Sequence, residues 1–487
     1  MVGDDEGSEP LELTTARRFL AEIEESLDGL GRSDPARLSV TGDGSLPSLF
    51  ATTDLAAASV AAAGRAVAHL VRTQGFGGRR IGVDRRLASL WFRSTIDPLG
   101  WEPPSPWDSV AGVYRAEDRW IRLHTNVPDH RVAALAVLGV DDDPSDPADR
   151  HAVAEAVATW SADVLEPAIV AAGGCAAALR SEEEWQRHPQ GEAVAAEPVV
   201  HVERFDAGVG AEPPALTPGR PLDGVRVLDL TRVLAGPVAT RFLAGLGADV
   251  LRLDPPDWSE PGLEPDVTRG KRCGRIDLRT DDGRADLLRL LADAHILVHG
   301  YRADALERLG LGDDARRQVA PGLIDVRLNA YGWTGPWRNR RGFDSLVQMS
   351  CGIAHTGGRL LGSDPDSGRP ADQPEPKPLP VQALDHATGY LLATVAWAAR
   401  LADGGATTAR VSLARTAHLL LGGPRTDPDT DFTDAVDGDW EPDGETTPWG
   451  PARRLRPPVA VDGVDWRWER PASPLGSEPR LEWLGDP

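Results

Sequence analysis

The sequence predicts an α/β protein built on a Rossmann-like open parallel sheet, with a smaller α+β domain beside it. Three observations carry this reading. Strand and helix patterns alternate from Pro221 onward, Pro/Gly-rich stretches punctuate the chain, and 487 residues exceed what one compact core takes. The run 225–230 (VRVLDL) reads as the first strand and 237–247 as the helix behind it. A second strand follows at 249–254 (DVLRLD), then a helix at 283–294 and strands at 295–299 and 323–328. Strands separated by helices of this length pair in parallel, because each return needs a crossover.

The stretch 206–220, Pro/Gly-rich from Ala207 (AGVGAEPPALTPGR), marks a linker between a first unit, 1–205, and a second, 221–425, with 426–487 as a C-terminal return segment. A second such stretch, 362–380, reads as a long surface loop, since helical pattern resumes at Val381.

The net charge of −23 argues against nucleic acid or an anionic membrane as the main partner, because both select basic surfaces. The start MVGDDEGSEP has neither the basic residues nor the apolar run of a secretory signal, and no stretch approaches the uninterrupted apolar length of a membrane span, so a cytoplasmic location is expected. Cys175, Cys273 and Cys351 lie far apart with no CxxC pair, which gives no sign of a zinc site or a disulfide framework, and no metal is expected. Lysine occurs only at Lys271 and Lys377.

Asp254 ends the second strand about where a ribose-binding acid would sit, yet the first strand is followed by TRVLAGPVAT and not by GxGxxG. Without those glycines no tight turn brings a pyrophosphate to the helix start, so a dinucleotide is not expected. Arg269, Lys271, Arg272, Arg275 and Arg279 crowd one stretch of an acidic chain; such an island either holds phosphates or forms a solvated face.

The segments PLDGVRVLDLTRVLAGPVATRFLAGLGADVLRLDPP, RGKRCGRIDLR, LERLGLG and LIDVRLNAYGWTGPWRNRRGFDSLVQMSCGIAHTGG resemble, in order, the signatures of family III CoA-transferases, the formyl-CoA and carnitine CoA-transferase group. The resemblance runs from Pro221 to Gly422 and implies a CoA-transferase with acyl-CoA and a small carboxylic acid as substrates, no tightly bound cofactor and a homodimer. It places the nucleophile at Asp385 in PVQALDHATGYLLATVAWAAR. A carboxylate suits thioester exchange, since its attack yields a mixed anhydride and then an enzyme-bound thioester, each step trading carboxylate for carboxylate. On its own, Asp385 before an apolar run is also a normal helix N-cap, and the helix start favours the ionised form.

The same resemblance carries CoA-binding roles over to Leu234 and Ala235, to Ile276, Asp277, Leu278 and Arg279, to Gly300, Tyr301 and Arg302, to Arg308, and to Arg341, Gly342, Phe343 and Asp344. Two departures bear on the adenine end: Pro255 stands where a basic residue is common, and VHGYRADAL replaces VENFRPGVL. A racemase of the same fold needs a histidine base where this chain has Phe343, which favours transfer. His386 adjoins Asp385 but belongs to another helix face, and His355 reads as a satisfied polar residue.

Residues 53–90 repeat the plan of 384–419: aspartate, Ala-rich helix, Gly-Gly, short strand, second helix. Asp54 is thereby the partner of Asp385 and, lacking a Rossmann-like half upstream, reads as a helix cap. A hairpin at 114–125 and helices at 128–138, 149–160 and 182–187 resemble the family's small α+β domain, placed here before the sheet. The tail SPLGSEPRLEW resembles the family's closing segment, so the order is that of a permuted, partly duplicated unit. Such a duplicate also admits a non-catalytic CoA-binding protein.

Overall fold

The computed structural model describes residues 11–27, 36–73, 75–142, 148–205, 214, 217–361, 375–401 and 406–485. Most of the linker stretch 206–220, and residues 362–374 of the expected surface loop, lie outside the described residues.

The main sheet has seven strands: β1 (His201–Phe205), β2 (Arg226–Leu230), β3 (Asp249–Asp254), β4 (Lys271–Arg275), β5 (Ile296–His299), β6 (Ile324–Asn329) and β7 (Ala406–Ser412), in the order β4-β3-β2-β5-β6-β7-β1. All neighbours pair in parallel except β1, which runs antiparallel to β7 at the edge. Strand order reverses between β2 and β5, so the carboxyl ends of these strands open a crevice where their connections diverge. The inner strands are largely buried, and charged residues on them such as Arg252 and Asp254 are buried as ion pairs.

Strand β4 is the expected basic island, and the structure corrects both readings of it. Lys271 is wholly buried and donates to Asp229 at 3.1 Å, while Arg272 meets Asp249 at 3.1 Å. Arg269 pairs with Glu441 at 2.6 Å and Glu445 at 2.8 Å, and Arg275 donates to the Pro255 and Trp258 carbonyls. Only Arg279 is exposed. Most of the cluster joins strands and loops through internal pairs.

The two repeats are both present. Helix α1 (Thr52–Thr73) leads to strand Arg80–Asp84 and helix Arg85–Trp91, as α4 (Ala383–Leu401) leads to β7 and helix Leu413–Leu421. Each second helix is capped by the last residue of its strand, Asp84 or Ser412, whose side chain accepts from the third backbone N–H onward. The first repeat also keeps a preceding strand, Arg37–Thr41, parallel to Arg80–Asp84 as β6 is to β7. By length and composition α1 could cross a membrane, but here it is a core helix packed on α4.

The edge strands are exchanged. β1, which follows the first repeat, pairs with β7 of the second, and Val459–Val461, which follows the second, pairs antiparallel with Arg80–Asp84 of the first. Each exchanged strand thereby ties a segment next to 205 or after 425 to the other repeat. The small α+β unit has its own core: strands Gly112–Arg115, Trp120–Leu123 and Ala176–Ala178 covered by helices Pro128–Leu138, Arg150–Ala158 and Ala162–Ala171.

Candidate active site

A cleft of about 320 Å³ lies where the crevice meets the α+β unit. Its floor is formed by the starts of two helices, α3 (Asp344–Ser350) and α4. Asp385 is the third residue of α4 and does not cap it; the cap comes from Asp344, whose Oδ2 accepts from the Leu384 N–H at 2.9 Å and the Asp385 N–H at 3.0 Å. The N-cap reading of Asp385 is corrected accordingly. Its reason is tertiary: a carboxylate on a neighbouring helix satisfies the open N–H groups that a local side chain would otherwise take.

Asp344 and Asp385 are both buried and both line the cleft. Burial raises the Asp344 carboxyl to about 6, even though it accepts from two backbone N–H groups and Gln348. Asp385 is pushed well above the usual carboxylate range, first by burial and then by the charge on Asp344. The two acids therefore share their proton over neutral pH, with the charge resting on Asp344, the better hydrogen-bonded member.

The side of the cleft formed by the sheet ends comes from Val233 and Leu234 after β2 and from 258–263 after β3. Val233 has φ of +67°, rare for a β-branched residue, and is the one non-glycine with positive φ among the described residues. Its N–H donates to Glu260 at 2.9 Å; Glu260 is paired to the buried Arg252 and accepts from the Trp258 indole at 3.0 Å. This hub sets the Val233–Leu234 turn against α4. The helix α2 (Ala235–Gly245) then packs so closely on α4 that a Cβ at Gly389 would stand 2.5 Å from the Ala235 carbonyl oxygen.

The first unit contributes Ser105–Asp108, His124, Asn126 and Val127. His124 lies against Phe343 with ring centroids 3.7 Å apart, so a histidine reaches the Phe343 position from another part of the chain. Burial, with Arg122 nearby, lowers its pKa to about 3.

Of the residues expected at the site, Leu234, Phe343, Asp344 and Asp385 line this cleft, with Ala235 buried beside Leu234. The others do not line it. Ile276 and Leu278 are buried in the apolar layer below the sheet ends, and Asp277 and Arg279 pair with each other at 2.8 Å on the surface. Gly300 is exposed and Arg308 pairs with Asp304. Arg302 is part-buried, and its pKa is lowered by burial and by the charge of Arg341, which brings these two cations near each other. Tyr301 receives a hydrogen bond from Arg232 at 3.3 Å, and Arg232 lies over both the Tyr301 and Trp258 rings. Gly342 packs against Ala330 and Tyr331.

Sequence reasoning missed Trp107, His124, Asn126, Trp258, Glu260 and Gln382. Trp258 and Glu260 directly follow the second strand, where the carboxyl-end rule already pointed. The first-unit residues had no such signal. His386, by contrast, is buried and stacked on Phe92 at 5.1 Å, away from the cleft.

Fold and cleft together define a Rossmann-like α/β protein with a coupled carboxylate pair at a helix start. Residues 222–428 match the model of CoA-transferase family III. The chain is 35% identical over 202 residues to a probable fatty acyl-CoA transferase of Mycobacterium tuberculosis, covering 39% of this chain and 48% of that one. It is 38% identical over 149 residues to a succinyl-CoA–D-citramalate CoA-transferase of Chloroflexus aurantiacus, covering 28% and 37%. A crystal structure of a CAIB/BAIF family protein from Brucella suis aligns with TM-score 0.36 at 25% identity, covering 48% of this chain and 65% of that one. The chain thus spans about half or less of the length of these curated relatives.

Proposed function

We propose that the protein is a CoA-transferase that moves CoA between an acyl-CoA and a free carboxylic acid, with Asp385 as nucleophile. The observation that carries this is the placement of Asp385, buried and paired with Asp344, on the floor of a cleft at the sheet's switch point, within the matched family segment. The names of the relatives, a fatty acyl-CoA transferase and a citramalate CoA-transferase, support the reaction class.

In this reading the Asp385 proton passes to Asp344, which titrates near 6, and the freed carboxylate attacks the thioester carbonyl. A C–O bond forms and the C–S bond breaks, giving a mixed anhydride and CoA thiolate. The thiolate attacks the Asp385 carbonyl carbon and releases the first acid as its carboxylate. The second acid then attacks the aspartyl thioester, forming a new anhydride and thiolate. Thiolate attack on its acyl carbon yields the new acyl-CoA and restores Asp385. Burial of Asp385 limits the access of water to an anhydride formed on it. Arg302 and Arg341 are the cations available to CoA phosphates outside the cleft. The cleft draws lining residues from both units of one chain.

His124 beside Phe343 is the one observation favouring racemisation. With its pKa near 3 it is a weak proton acceptor at neutral pH, and transfer is the better reading. The test is Asp385→Ala: transfer should fall to background while CoA still binds, and incubation of the parent with acyl-CoA should leave an acyl or CoA adduct on the peptide holding Asp385. Undiminished turnover in the variant sinks the assignment. Exchange of an α-proton with deuterated water, without transfer, would favour the racemase.

A further inference from the structure

The charged and carboxamide groups on the side of the cleft contributed by the first unit are committed inside the protein. The Asp108 carboxylate accepts from the Thr125 hydroxyl at 2.6 Å and from the Val110 N–H at 3.1 Å, and pairs with Arg131 at 2.8 Å. The Asn126 carboxamide donates to the Pro106 carbonyl at 2.7 Å and accepts from the Asp108 N–H at 3.2 Å. His124 is buried and uncharged against Phe343. The rest of this lining is ring and alkyl surface from Pro106, Trp107, Val127 and Phe343, with the unpartnered His124 Nδ1 and Ser345 Oγ as its neutral polar atoms.

Charge points the same way. Four carboxylates line the cleft, those of Asp108, Glu260, Asp344 and Asp385, and among the described residues no arginine or lysine does. Arg122 is the cation of this side whose field reaches Asp344, but it does not line the cleft, and its guanidinium lies over the Trp107 ring at 5.0 Å. A second carboxylate on the acyl chain would lose its water beside the charge on Asp344 and gain no cation from the lining, whereas an alkyl or aryl group would bury apolar surface; the reacting carboxyl differs, because its charge is lost on forming the anhydride with Asp385.

We propose that the acyl group exchanged at this site is uncharged and apolar, that of a simple monocarboxylic acid, and that it rests on the Trp107–Phe343–Val127 surface, while a second carboxylate on the acyl chain is rejected. This rests on the CoA-transfer reading above. Non-hydrolysable thioethers separate the two in the full-length parent protein by calorimetry, using CoA, S-hexyl-CoA and S-carboxypropyl-CoA. S-hexyl-CoA should bind about 100-fold tighter than CoA, as burial of several methylenes implies, and S-carboxypropyl-CoA no tighter than CoA.

If CoA binds and the carboxylated thioether binds as tightly as the hexyl one, or if hexyl adds nothing, the acyl proposal falls and the CoA reading stands. If none of the three binds, the CoA reading falls and the acyl proposal with it. Val127→Lys, at a half-exposed position, should narrow the preference for hexyl over carboxypropyl about tenfold by adding the missing cation. An unchanged ratio in a folded variant would show that the acyl end lies elsewhere and overturn the assignment.

Discussion

At the scale of residues, the chemistry turns on which carboxylate holds the proton. Asp344 has three donors and Asp385 is raised by burial and by its neighbour's charge, so the pair ionises late. Transfer should therefore rise with pH through about 6, the Asp344 value, and a pH series of kcat/KM reads this directly. The stability consequence has the opposite sense. The folded protein holds these protons more tightly than the unfolded chain does, so the pair costs stability as pH rises above the ordinary carboxyl value of 3.8. Asp385→Asn removes the repulsion: it should be inactive, match the parent in Tm near pH 4 (about the unperturbed carboxyl range), and melt several degrees higher at neutral pH. A Tm at or below the parent's at neutral pH would contradict the raised pKa.

At the scale of elements, strand β4 is held by the buried ion pair of Lys271 with Asp229 on β2, and Lys271 also donates to the Pro237 carbonyl at 3.0 Å at the start of α2. Against the cost of burial, the charges of Lys271 and Arg252, with hydrogen bonds from Thr231 and Thr240, keep the Asp229 carboxyl below the usual range, while burial lowers Lys271 to about 8. Lys271→Met leaves Asp229 charged and unpaired by its cation, so denaturant unfolding should show a loss of about 3–5 kcal/mol. Adding Asp229→Asn should recover most of it. A cost below about 1 kcal/mol for the single change would place the pair among interactions that merely break even.

At the scale of the whole molecule, the two repeats differ where the chemistry lies. Asp54 meets Arg85 at 3.4 Å, with both side chains buried, and Arg85 opens the helix after its strand; in the second repeat the helix in that place opens with Leu413. A cation therefore neutralises the first aspartate, while the second faces another carboxylate. Asp54→Ala should leave transfer within a few-fold of the parent and lower the unfolding midpoint, because Arg85 loses a buried counter-charge. A loss of turnover like that of Asp385→Ala, with the midpoint unchanged, would give Asp54 a part in the reaction. Exchange of β1 and Val459–Val461 between the repeats makes this coupling structural, since neither repeat keeps its own edge strand.

The sequence by itself determined β2, β3, β5 and β6, the repeat and the aspartate at the start of α4, because apolar periodicity, turn residues and helix starts are local signals. The strand 249–254 was legible to the residue, since a short run rich in Val and Leu between Gly247 and Pro255 reads as a strand even with charges in it. Strand β4 was not, because its arginines and lysine look solvated until the acids opposite them are known. The cap on α4 and the meeting of His124 with Phe343 were also decided only by the tertiary structure. Each depends on side chains brought together from distant parts of the chain, and burial then sets their charge: an isolated aspartate is an ordinary acid, and only a second carboxylate packed beside it in a water-poor cleft makes it hold its proton.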